Sequence, residues 1–188
     1  MLSGDLERLE KALAKGGDVN YLTAGDWNAG MAAAIEGHCE ALKMLIDAGV
    51  NLEQRSEPNK WNALMFAAFG GHDECVKMLI EAAVDLNQQA RDSRTALMMT
   101  AQMAKTSTFK LLLDAGADAH IKGEKGRNAA LWASMHGEAA KEILDMLTEI
   151  GANPDGWLPR ESPEAHAARL KAKQEGKEKA ENDEDKEL

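Results

Sequence analysis

The sequence predicts an all-α solenoid: short helix-turn-helix units stacked in register, with extended loop fingers between them. Three observations carry this. Segments starting at Asn28, Asn62, Thr95 and Asn128 resemble one another, and their starts lie 34, 33 and 33 residues apart. A fixed period near 33 is the length of one supersecondary unit, not of a domain. Each segment holds two apolar stretches at helical spacing, separated by a turn. Finally, the 188 residues are 44% hydrophobic but only 4% aromatic, which suits small-residue helices in close contact.

The elements follow in order. Gly4 to Asn20 reads as the second helix and loop of a unit whose first helix is missing, so 1–20 is a partial N-terminal cap or the end of a longer array. Full units are expected near 21–54, 55–88, 89–121 and 122–155. In each, a small apolar first helix such as Ala63 to Phe69 leads into a turn, Gly71-His72 in the second unit. The second helix then places Cys75 or Val76, Leu79 and Ile80 inward, with Lys77 and Glu81 outward. Gly49 and Gly116 stand where the second helix ends, a position suited to a left-handed cap. Ala83 holds the matching place in the second unit, where a different cap is expected because Ala resists positive φ. Ser162-Pro163 is a helix-start signal, predicting a C-terminal capping helix near 162–173. Residues 174–188 are polar, and composition predicts a disordered tail.

These units resemble the ankyrin repeat family over roughly residues 4–170. The family's Thr-Pro-Leu-His box reads Asn28-Ala29-Gly30-Met31, Asn62-Ala63-Leu64-Met65, Thr95-Ala96-Leu97-Met98 and Asn128-Ala129-Ala130-Leu131. Pro and His are absent from all four, so the family's His-mediated bonds between repeats are expected to be missing, with adaptable Met contacts in their place. The resemblance implies an ankyrin-repeat solenoid that binds proteins, with contacts from loop tips and first helices. Carried over to this chain, the tips are Trp27, Trp61, Arg94 and Arg127. The further contact positions pair Ile35 with Glu36, Phe69 with Gly70, Gln102 with Met103, and Met135 with His136. This order predicts a groove with an aromatic half (Trp27, Trp61, Ile35, Phe69) and a basic half (Arg94, Arg127, with Arg91 and Lys125 nearby). Trp and Arg are the types most enriched at binding hot spots. The matching ligand is an extended segment with an apolar anchor and an acidic stretch.

Other residues read as structural. Trp132 falls where the family buries a Leu, and Trp157 is expected to cover the end of the last full unit. His38 and His72 are expected to cap turns. Cys39 and Cys75 lack a Cys-x-x-Cys partner and read as inert thiols. Two cysteines make no disulfide framework, so a reducing compartment is the default.

No catalytic motif, phosphate loop or metal-ligand spacing is present in the sequence. The net charge is −10, which argues against a partner held by phosphate neutralisation, and no apolar run approaches the ~18–20 residues that span a bilayer. Residues 160–188 hold seven Lys/Arg and nine Asp/Glu, so most of the negative charge lies on the array. The resulting expectation is a non-catalytic adaptor or scaffold: monomeric, without cofactor, membrane or nucleic-acid partner, cytoplasmic with a nuclear location open. The alternative is a regulatory or targeting segment of a larger enzyme, channel or signalling protein. The resemblance also makes loop residues Asn20 and Asn87 conceivable sites of asparaginyl hydroxylation.

Overall fold

The computed structural model describes residues 2–153, 165 and 168–172. Nine α-helices appear among them: α1 Leu2–Ala14, α2 Ala29–Glu36, α3 Cys39–Asp47, α4 Ala63–Gly70, α5 Asp73–Glu81, α6 Ala96–Gln102, α7 Thr106–Asp114, α8 Ala129–Ser134 and α9 Lys141–Glu149. The described residues form no strand. Ala165 and 168–172 are helical. The Ser162-Pro163 start of the expected capping helix, Trp157 and the tail 174–188 lie outside the described residues.

Each first helix begins at a polar side chain that accepts a backbone N–H of the first turn. Asn28, Asn62, Thr95 and Asn128 accept from the amides of Met31, Met65, Met98 and Leu131. This satisfies one of the four orphan donors of a helix start and explains why these box positions hold Asn or Thr. First helices α2, α4, α6 and α8 stack on one another in one row; second helices α1, α3, α5, α7 and α9 stack in a second. The core lies between the rows. Met31, Met65 and Met98, at the places of the family's His, are buried at 2% exposure or less.

The cap of the second helix departs from expectation. Ala83 adopts φ 56°, and its amide bonds the Ile80 carbonyl at 2.9 Å. Gly49 does the same with Ile46, also at 2.9 Å. The second unit therefore keeps the glycine geometry and accepts the left-handed strain that a Cβ brings there.

The fourth unit carries a second departure. Its buried Ile143, Leu144 and Leu147 follow Thr108, Phe109 and Leu112 by 35 residues, although its box follows the third by 33. The two extra residues are taken up in a 3-10 turn, Gly137–Ala140, before α9.

A ladder of loop bonds ties successive units. Asn20 Oδ1 accepts from the Asn51 amide at 2.6 Å, Glu53 Oε1 from Asp85 at 3.2 Å, and Asn87 Oδ1 from Asp118 at 2.8 Å. Asn20 and Asn87 are thus structural acceptors between neighbouring loops.

Candidate functional site

The finger tips are closed turns. The amides of Thr23, Ser56, Ala90 and Gly123 bond the carbonyls of Trp27, Trp61, Arg94 and Arg127 at 2.7–2.9 Å. Asp26, Lys60 and Ser93, immediately before Trp27, Trp61 and Arg94, have φ of 57°, 59° and 60°. This left-handed step turns the chain at each tip. Neighbouring fingers also bond each other: Glu57 amide to Gly25 carbonyl at 2.7 Å, and Arg91 amide to Asn59 carbonyl at 2.9 Å. The tip side chains therefore stand on a braced backbone.

Those side chains meet. Trp27 lies 4.4 Å from Phe66 between ring centroids, and Trp61 lies 5.2 Å from Phe66 and 5.3 Å from Phe69. The Arg94 guanidinium sits 5.8 Å from the Trp61 ring and 5.7 Å from the Trp132 ring, and Arg127 sits 5.3 Å from Trp132. All are within the range of attraction between a cation and a ring face. The result is one unbroken series: Trp27, Phe66, Trp61, Arg94, Trp132, Arg127.

Two sequence expectations change here. Trp132 is half-buried rather than enclosed; it packs on the core, and its ring meets two guanidinium groups. Its Nε1 is buried without a hydrogen-bond partner. Arg94 is not a free cation, because it forms an ion pair with Asp92 at 2.6 Å and donates through Nη1 to Gln102. Arg91 pairs with Glu57 at 3.2 Å. Arg127 borders a cleft of ≈ 140 Å³ with Asp92, Glu124 and Trp132.

Ile35 and Phe69 are half-buried, while Met103 and Met135 are 38% and 48% exposed. Phe66 joins the site only through tertiary contact; Asp92 joins it through its ion pair with Arg94 two residues on, and Gln102, an expected contact position, is taken up by Arg94. Phe66 had one sequence signal: it shares its box register with Trp132.

The histidines do not cap their turns. Neither His38 nor His72 makes a side-chain bond to the helix it precedes. Instead His72 Nε2–H donates to the Ile35 carbonyl at 3.0 Å, across the first unit boundary. A Cβ on Gly37 or Gly70 would come within 2.5 Å of that ring, so both glycines are required for its seat. Cys39 and Cys75, expected as inert thiols, are joined in a disulfide. Sequence spacing hid this pairing because the two stand in different units.

Stacked helix pairs with braced loop fingers define a repeat solenoid. Residues 1–90 match the family model for ankyrin repeats, in three copies. The match supports an ankyrin repeat family, whose members are generally protein–protein interaction modules and typically non-catalytic. No curated protein matches the chain. Among the described residues, no helix is long and apolar enough to cross a membrane.

Proposed function

We propose that finger tips and first helices bind an extended segment of a partner protein, and that the chain acts without catalysis as an adaptor or scaffold. The observation that carries this reading is the series of ring and guanidinium contacts crossing all four units. Such a surface is preorganised, so binding orders little on the repeat side. The apolar anchor of the ligand lies against Trp27, Trp61, Ile35 and Phe69. Met103 and Met135 supply adaptable apolar contact. The acidic preference narrows: Glu57 offsets Arg91 and Asp92 offsets Arg94, which leaves Arg127, with Lys125 in the same finger, to favour a carboxylate.

The test uses fluorescently labelled extended peptides carrying an apolar anchor and a carboxylate at varied spacing. Peptides that bind the wild-type chain should lose about tenfold in affinity to Arg127→Glu, equivalent to ~1.4 kcal/mol, and lysine-bearing counterparts should gain. Equal affinity of every peptide for both chains would defeat the reading.

A second reading, an array within a larger regulatory or targeting protein, draws on the opposite end. There a cavity of ≈ 540 Å³ is lined by Val19, Tyr21, Trp27, Ala29 and Ala32, beside Tyr21 at 68% and Leu22 at 39% exposure. This is an apolar face that another body could cover.

A further inference from the structure

Cys39 opens α3, and Cys75 lies in the first turn of α5 in the next unit. Their Cα atoms are 4.9 Å apart, within the range that a disulfide spans. The register that joins them recurs one unit further along. Asp73 follows Cys39 by 34 residues, and Thr108 follows Cys75 by 33. Thr108 Oγ1 donates to Asp73 Oδ1 at 2.5 Å. The same slot between consecutive second helices thus holds a covalent link at one boundary and a hydrogen bond at the next. At the third boundary it holds Thr106 and Ile143, which can form neither. Repeat geometry therefore supplies the proximity, and the crosslink does not have to impose it.

We propose that Cys39 and Cys75 form a reversible thiol–disulfide switch that locks or releases the boundary between the first two full units, by exchange with a low-molecular-weight disulfide such as oxidised glutathione. Cys39 is half-buried and Cys75 is fully buried, which sets the order of events. The Cys39 thiolate attacks one sulfur of glutathione disulfide, and one glutathione leaves as thiolate. Cys75 then loses its proton to solvent and attacks Cys39 Sγ in the mixed disulfide, releasing the second glutathione. Two electrons pass from the cysteine pair to glutathione disulfide, which departs as two thiols. In the open form this boundary keeps the His72–Ile35 hydrogen bond and the Trp27–Phe66 contact, so the fold persists with less constraint on its unfolded chain. The switch does not depend on what the finger face binds.

The experiment equilibrates the full chain in buffers of graded glutathione to glutathione-disulfide ratio, blocks free thiols with a maleimide, and reads intact mass and Tm. The expected result is two adducts in the reducing limit and none in the oxidising limit, with the closed form melting higher by on the order of 5 °C. Cys75→Ser should take up one glutathione at Cys39, and Cys39→Ser should take up none. Two free thiols in the oxidising limit, or equal Tm for both forms, overturns the switch. Glutathione uptake by Cys39→Ser overturns Cys39 as the point of entry.

Discussion

Trp132 shows how a single side chain divides its roles. Its ring packs on the core and meets Arg94 and Arg127, while its buried Nε1 makes no hydrogen bond. The ring contributes through burial and cation–π attraction; the N–H carries a desolvation cost with nothing to offset it. Trp132→Phe keeps an aromatic ring, though a smaller one, and removes the orphan donor. Its unfolding free energy in urea should stay within about 1 kcal/mol of wild type. Trp132→Ala removes the ring and should cost roughly 2–3 kcal/mol. Equal losses for the two variants would mean that the full indole, and not merely an aromatic ring, is needed at this position. The sequence showed a Trp at a core register. That a neighbouring unit would bring Arg94 to the same ring depends on how the fingers lie over the first helices.

At the scale of the element, the helix caps follow local chemistry with one exception. Asn and Thr at the box accept first-turn amides in every unit, a role their short side chains perform in any helix. Ala83 departs from its local preference: it holds φ 56° because α5 must end where the next loop can join the Asn20–Glu53–Asn87 ladder. Tertiary contacts override a preference of ~1–2 kcal/mol. Ala83→Gly relieves the strain but loosens the unfolded chain, so the net gain should be about 0.5–1 kcal/mol. An unchanged or lowered denaturation midpoint would show that the Ala83 methyl makes a contact worth more than the strain.

Across the whole molecule, each unit touches mainly its neighbours, so stability is close to a sum of unit and interface contributions. Damage at one end should remain local. Leu147 is fully buried in α9, and Leu147→Ala should cost ~2–5 kcal/mol. Hydrogen exchange should then accelerate in α8 and α9 while α4 and α5 keep their protection. Uniform acceleration along the chain would indicate one cooperative unit instead. The two extra residues before α9 have the same local character: a 3-10 turn absorbs them, and the box and the core of the fourth unit both keep their places.

The sequence alone determined the period, the helix pairs, the box caps and which residues stand at the finger tips. These follow from interactions within about one turn of helix or one loop, and repetition makes them visible four times over. Only the tertiary structure decided what those residues meet. Pairing across units joined Cys39 to Cys75, placed His72 on the Ile35 carbonyl, brought Arg94 to the Trp132 ring, and set Ala83 in a glycine's conformation. Each depends on the offset between adjacent units, a distance in space that a linear pattern with a 33-residue period does not record.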